Sequence, residues 1–131
     1  MRENNVIQQK SYAFAVRIVK MCQHLADARK EFVLSKQVLR SGTSIGANVE
    51  EAIGAQSKAD FMSKMSIAYK EAREPVYWLR LLNDTDYLTK EQFNSMRVEA
   101  DELCRILSRI QTTAKGHLRN GNRPAPDIRN S

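Results

Sequence analysis

RSGTSIGANVEEA, residues 40–52, predicts a helix although its composition opposes one. Gly42 and Gly46 each disfavour an exposed helix interior by about 1 kcal/mol relative to alanine. Apolar residues nevertheless recur on one side at about 100° per residue, and they are Leu34, Val38, Ile45, Val49, Ala52 and Ile53. We therefore expect packing against another element to maintain this helix, because glycine and serine let two backbones approach closely.

A second stripe, of small or polar residues, lies on an adjoining side of the same predicted helix. It consists of Arg40, Ser44, Ala47, Asn48 and Glu51. We interpret this stripe as an oligomer or helix-packing motif.

Gly42-Thr43-Ser44-Ile45-Gly46 also matches the G-x-S-x-G nucleophile elbow of hydrolases. That elbow requires a strand-to-helix turn, followed along the chain by an acid and a histidine. The residues before Gly42 have a helical pattern, and the downstream histidine, His117, lies in a segment that resembles a loose tail. The sequence therefore favours close packing over hydrolase chemistry.

The rest of the chain predicts three more helices, over about 6–26, 57–82 and 89–114. Gly54 is expected to end the central helix in the left-handed conformation, and Ser57 to cap the next one. The apolar stripe stays in phase across Pro75, which predicts a kink and not a break. Thr89 and Gln92 form a capping box. The expected fold is all-α, an antiparallel up-down-up-down four-helix bundle over residues 1–115, with a helix stop at Gly116 and a flexible basic tail over 116–131.

The first predicted helix is apolar on two sides. Ile7, Phe14, Ile18, Met21, Cys22 and Leu25 form one stripe, and Tyr12, Val16 and Val19 form a second. A helix of this kind is buried twice, in its own bundle and against a neighbour. This pattern predicts a homo-oligomer.

Three segments resemble a known bacterial protein family. Residues 39–52 match the family signature R-S-x-x-S-I-x-A-N-I-x-E, and residues 11–19 and 61–82 have sequences similar to those of its members. The family is the bacterial four helix bundle protein family, encoded by intervening sequences in 23S ribosomal RNA genes. Val49 replaces its usual isoleucine, and Pro75 is unusual for it. The resemblance implies a bundle that assembles as a ring, a pentamer. Related members are the accessory variability determinant proteins of diversity-generating retroelements, which bind nucleic acid and a reverse transcriptase.

Several other functions find little support in the sequence. No apolar run is long enough to span a membrane, and the first residues lack a signal segment, so we expect a cytoplasmic protein. Cys22 and His24 point apart on a helix, and no Glu-x-x-His pair occurs. We therefore expect no metal, no cofactor and no enzymatic activity.

Charge supplies the remaining functional signal. Residues 115–131 carry four basic and one acidic side chain, half of the net charge of +6. Five bundles in a ring would carry on the order of +15 without their tails. Lys70, Arg73, Tyr77 and Arg80 group on the outward side of the third helix. Two functions stay open: RNA or DNA binding through this patch, or a protein-only scaffold that presents partner sites on a ring.

Overall fold

Four helices pack side by side: α1 (Arg2–Arg29), α2 (Val33–Ile53), α3 (Lys58–Asp84) and α4 (Lys90–Gly121). The computed structural model describes the backbone of residues 2–121 and the side chains of residues 2–116. Within that range no residue is in a strand. Each helix contacts the next, α4 returns to contact α1, and the diagonal pairs make no contact. The predicted four-helix bundle is confirmed.

The predicted apolar stripes line one continuous core. Its buried members come from all four helices, and the largest are Ile7, Phe14, Ile18, Leu25, Val38, Ile45, Met65, Leu79, Leu82, Leu103, Leu107 and Ile110. Ile53 is the exception among the predicted core residues of α2, because it is the last residue of the helix and is 40% exposed.

The glycines of α2 serve its packing on α1. A Cβ atom built on Gly42 would stand 2.7 Å from Cγ1 of Ile18, well inside van der Waals contact. A Cβ on Gly46 would stand 3.6 Å from the backbone oxygen of Ser11, an ordinary contact distance. The expected close approach of two helices is therefore found, and Gly42 is the residue that requires it.

Two polar side chains of α2 form hydrogen bonds to backbone carbonyls of their own helix. Thr43 donates to the carbonyl of Leu39 at 2.7 Å, and Asn48 donates to the carbonyl of Ser44 at 2.9 Å. Such bonds satisfy hydroxyl and amide groups near the core without a partner from another helix. They let a sequence rich in small polar residues remain helical inside a bundle.

Each of the last three helices has a side-chain cap at its beginning. Ser57 accepts from the backbone N–H of Asp60 at 3.0 Å, as predicted. The predicted capping box closes in both directions, from Gln92 N–H to Thr89 Oγ1 at 3.1 Å and from Thr89 N–H to Gln92 Oε1 at 2.9 Å. The cap of α2 was not predicted: the buried carboxylate of Glu31 accepts three bonds of 2.8–3.0 Å from the first backbone N–H groups of α2, at Val33, Leu34 and Ser35.

The end of α2 at Gly54 is confirmed, but the predicted conformation of Gly54 and the predicted stop of α4 at Gly116 were wrong. Gly54 follows α2 with φ −86°, not in the left-handed region. The left-handed residues of the described chain are Lys30 (φ 54°) after α1 and Asp86 (φ 70°) after α3. Helix α4 runs through Gly116 to Gly121, because one exposed glycine lowers helix stability without stopping it. Residues 116–121 of the predicted tail are therefore helical, and residues 122–131 lie outside the described residues.

Pro75 lies inside α3 and is buried, and the helix continues on both sides of it. The prediction that this proline does not break the helix is confirmed. Within residues 2–121, none of the helices combines the length and the apolar character needed to cross a membrane.

Candidate nucleic-acid interface

The predicted patch Lys70, Arg73, Tyr77 and Arg80 lies on the exposed side of α3. Steps of three and four residues keep the four side chains on one face of the helix. Among the described residues, no carboxylate lies within salt-bridge distance of the three cations. The face is therefore a concentration of uncompensated positive charge.

On its α2 side the patch is bounded by two carboxylates. Glu74 accepts from Arg40 Nη2 at 2.9 Å, and Glu71 lies 3.9 Å from Arg40 Nη1. Lys70 and Arg73 line the same shallow depression as these three residues. Carboxylates therefore border the patch on the side of α2.

On its α4 side the patch continues. The Cys104 thiol of α4 has its pKa raised, first by burial and then by the charge of Asp101, while Arg73 and Arg105 oppose the shift. Arg73 of α3 and Arg105 of α4 therefore act on the same atom. A neighbouring open cavity of about 480 Å³ is lined by Tyr69, Cys104, Arg105, Ser108 and Arg109.

We call the exposed surface of Lys70, Arg73, Arg80, Arg105 and Arg109 the basic surface. Its two α4 members were missed by sequence reasoning because they belong to another helix, and the register between two helices is not visible in either periodicity. Arg105 and Arg109 are four residues apart on one face of α4. This spacing in the sequence could have indicated that α4 also carries a basic face.

Three acidic residues of α4 form ion pairs. Glu99 and Glu102 pair with Arg17 and Lys10 of α1, at 2.8 and 2.7 Å. Asp101 pairs within its own helix with Arg97, at 2.9 Å. These ion pairs are exposed and contribute little to stability. Glu102 and Glu3 line one open cavity with Arg105 and Arg109, so carboxylates border the basic surface on its α1 side as well.

The second predicted motif joins α2 to α3 within one chain. Ser44 donates to Glu71 at 3.0 Å, Arg40 binds Glu74, and Glu51 lies 3.3 Å from Lys64. Asn48 bonds within its own helix, and Ala47 is exposed. The contacts of the motif in this chain are those of helix packing.

A different surface carries exposed apolar side chains. Tyr12 is 70% exposed, Phe32 59% and Val19 38%. Val19, Phe32 and Leu39 line an open cavity of about 420 Å³ between α1 and α2, and Val16 is half-buried beside them. We call Tyr12, Val16, Val19, Phe32 and Leu39 the apolar face.

The geometry around Ser44 does not support nucleophilic catalysis. The whole run from Gly42 to Gly46 lies inside α2, not at a strand-to-helix turn. The Ser44 hydroxyl bonds to the Ser41 carbonyl and to Glu71, and no imidazole is among its partners in the described chain. The same part of the chain contains no group of three side chains suited to a metal ion.

Comparisons with known proteins agree with the bundle. The family model for the 23S rRNA-intervening sequence protein matches residues 3–109. A crystal structure from Bacteroides thetaiotaomicron, described as a protein with unknown function from the S23 ribosomal protein family, is 52% identical, with a TM-score of 0.82. The match covers 84% of this chain and 98% of that one. No curated protein matches the chain. The chain belongs to the 23S rRNA-intervening sequence protein family.

Proposed function

We propose that this protein is a non-enzymatic accessory protein that binds nucleic acid through the basic surface. The observation that carries the proposal is that Arg73 of α3 and Arg105 of α4 both act on the Cys104 thiol, that Arg109 lines the same cavity as Arg105 and Cys104, and that none of the three arginines forms a salt bridge in the described chain. Solvated lysines and arginines scattered over a surface are ordinary, whereas a cluster drawn from two helices forms an electrostatic footprint.

Phosphate contacts supply the affinity in this proposal. Within residues 2–121 there is no strand that could read base edges, and the basic surface lies along the sides of two helices that are packed in the bundle. Binding is therefore sequence-independent and depends on release of counterions from the phosphates. The expected sign of this mechanism is a steep loss of affinity as salt is raised from about 50 to 200 mM.

Assembly of several subunits would strengthen the positive electrostatic field of the basic surface. The side chains of the apolar face form a contiguous exposed apolar patch. Such patches on a folded protein mark interaction sites, and this one supports a homo-oligomer. The number five comes from the family resemblance. In a ring the basic surface is repeated in every subunit, so one strand can contact several copies, and weak individual contacts add to a large effective affinity.

A protein-only scaffold is the second candidate, and the apolar face favours it. Exposed aromatic residues such as Tyr12 and Phe32 are typical anchors of protein interfaces. A reverse transcriptase is the partner that the resemblance suggests. In this case the basic surface would be an ordinary solvated surface.

Retention of labelled nucleic acid by the full-length protein tests the proposal. The readout is the affinity for 20-nucleotide RNA and DNA, single- and double-stranded, from about 50 to 200 mM salt. The charge-removing variant is Arg73→Ser/Arg105→Ser/Arg109→Ser. Its matched control is Lys20→Ser/Lys30→Ser/Lys36→Ser, which removes the same charge from exposed positions of α1, of α2 and of the connection between them.

We expect the arginine variant to bind more weakly and to flatten the slope of log affinity against log salt by about 2 units, since each lost phosphate contact removes 0.7–0.9. The lysine control should keep the slope. No retention of any nucleic acid at low salt would leave the scaffold as the better function. Loss of binding on removal of residues 122–131 alone would assign the activity to the tail and overturn the role of the bundle surface.

A further inference from the structure

The basic surface surrounds an exposed aromatic ring. Tyr77 is 56% exposed and lies on the same face of α3 as Lys70, Arg73 and Arg80. Its ring meets that of Trp78 edge to face, with centroids 5.0 Å apart and planes at 81°. The contact orients the Tyr77 ring while more than half of the residue stays open to solvent. A tyrosine held in this way loses little conformational freedom when another flat ring stacks on it.

A second aromatic residue stands along the same helix. Tyr69 precedes Tyr77 by eight residues, about 12 Å along the axis of α3. It lines the open cavity of about 480 Å³ that Arg105 and Arg109 also line. The volume is within the range of small-molecule sites. Aromatic surface and arginines therefore alternate along the α3–α4 surface.

We propose that this surface binds unpaired nucleotides and not duplexes: one base stacks on Tyr77, and a base further along the strand enters the Tyr69 cavity. The inference rests on the proposed function and specifies its ligand. Arg73 lies between the two positions along α3 and holds a phosphate there, and Arg105 and Arg109 hold phosphates at the Tyr69 cavity that they line. Positive charge interleaved with stacking rings is the arrangement by which proteins bind single strands without sequence preference.

A duplex does not fit these residues equally well. Its bases are stacked on each other and turned away from a convex helical surface, so Tyr77 would face sugar and phosphate and gain no stacking partner. A duplex would still be attracted by the arginines through its phosphates. The Tyr77 ring therefore adds affinity for single strands only, and strand type becomes the measurable difference.

The test compares three 20-nucleotide DNA ligands on the full-length protein by fluorescence anisotropy: a single strand, its duplex, and an abasic strand that keeps the phosphates. An RNA strand of the same sequence shows whether the sugar matters. The variants are Tyr77→Leu, which removes the ring, and Tyr77→Phe, which keeps it. Trp78 is the sole tryptophan and lies beside Tyr77, so its emission reports on a base stacked there.

We expect Tyr77→Leu to weaken single-strand binding about 5- to 150-fold, the range observed for one stacked base, with an unchanged salt slope. Binding of the duplex and of the abasic strand should not change, and Tyr77→Phe should rescue single-strand binding. Trp78 emission of the wild type should respond to the single strand and not to the abasic one. The circular dichroism of each variant establishes that the bundle is intact.

The two proposals fail in different ways. If no ligand is retained by the wild type at low salt, the nucleic-acid function itself is wrong. If all three ligands bind alike and Tyr77→Leu binds them as the wild type does, nucleic-acid binding stands and the single-strand inference is overturned. If Tyr77→Leu loses the same affinity for all three ligands, Tyr77 acts by positioning the arginines. That result also overturns the proposal that a base stacks on its ring.

Discussion

Gly42 of α2 touches Ile18 of α1 so closely that there is no space for a methyl group between them. An added Cβ would stand 2.7, 3.0 and 3.1 Å from Cγ1, Cγ2 and Cδ1 of Ile18. Ile18 is fully buried, and two of these atoms are fixed close to its backbone. The side chain therefore cannot move away without disturbing the core.

We expect Gly42→Ala to destabilise the protein by about 1–2 kcal/mol, since overpacking of a core costs more than the helix propensity gained. Gly46→Ala is the matched control: its Cβ meets Ser11 at 3.6 Å, so it should be neutral or stabilising by up to about 1 kcal/mol. Urea unfolding at one protein concentration measures both. In Ile18→Ala/Gly42→Ala the two costs should be less than additive, and full additivity would exclude the clash.

Glu31 should make the stability of α2 depend on pH. Burial alone would raise the pKa of its carboxyl above the ordinary value of 4.5, but the bonds from the backbone of Leu34, Ser35 and Val33 and from the Ser35 hydroxyl lower it. A carboxyl with a lowered pKa in the folded state stabilises above its unfolded pKa, and the contribution is lost as the pH falls through its folded pKa.

Glu31→Gln should therefore cost roughly 1 kcal/mol at pH 7, and the difference from the wild type should shrink below pH 4.5. Thermal unfolding across this pH range provides the measurement. Asp27→Asn, which changes an exposed carboxyl of α1, should stay within about 0.5 kcal/mol of the wild type throughout. An equal cost of Glu31→Gln at pH 3 and pH 7 would contradict the role of the charge.

The two cysteines should react at different rates. Burial, followed by the charge of Glu31, raises the pKa of Cys22 to about 11, and its thiol donates to the Ser35 carbonyl at 3.3 Å. At pH 8 only about one Cys22 thiol in a thousand is ionised. Cys104 is only half-buried, and Arg73 and Arg105 oppose the rise in its pKa that burial and Asp101 cause. Iodoacetamide at pH 8 should label Cys104 first and Cys22 only after denaturation, and peptide mass spectrometry distinguishes the two. Equal rates in the folded protein would contradict this burial.

Replacing Lys30 by glycine should increase the stability of the protein. It follows α1 with φ 54°, and the next N–H, of Glu31, reaches back to the Leu25 carbonyl at 3.0 Å. Lys30→Gly should stabilise by about 1 kcal/mol, because glycine adopts this conformation without strain. The same substitution inside α1, Lys20→Gly, should destabilise by about 1 kcal/mol. A loss of stability in both variants would contradict the left-handed conformation of Lys30.

The apolar face should control assembly. Tyr12→Glu/Phe32→Glu places two charges where an oligomer would bury aromatic rings, and both residues are exposed in the single chain. We expect the variant to have a lower mass by light scattering at micromolar concentration, with unchanged helix content. Val98→Glu, at a 56% exposed position of α4, should assemble as the wild type does. A monomeric wild type would exclude the oligomer.

Periodicity and cap chemistry predicted most of the fold, because both act within a few residues. Thr89 with Gln92, Ser57, and the uninterrupted stripe across Pro75 are examples. Glu31 was missed because its side chain caps from a position that reads only as a polar joint. Gly116 does not end α4, because glycine permits a helix end without imposing it, and Gly54 ends α2 without the left-handed conformation that glycine permits. Arg105 and Arg109 required the register of α4 on α3, which is decided by packing between distant segments.

The bonds by which Thr43 and Asn48 turn back on α2 have a kinetic consequence. A helix with two glycines and such self-bonded polar side chains has little tendency to nucleate by itself. Helix α1 is synthesised first, and its Ile18 and Ser11 present the surface on which Gly42 and Gly46 come to lie. We therefore expect α2 to form as it packs on α1, and not as an independent helix that docks afterwards. Damage to this surface of α1 should slow refolding more than it speeds unfolding.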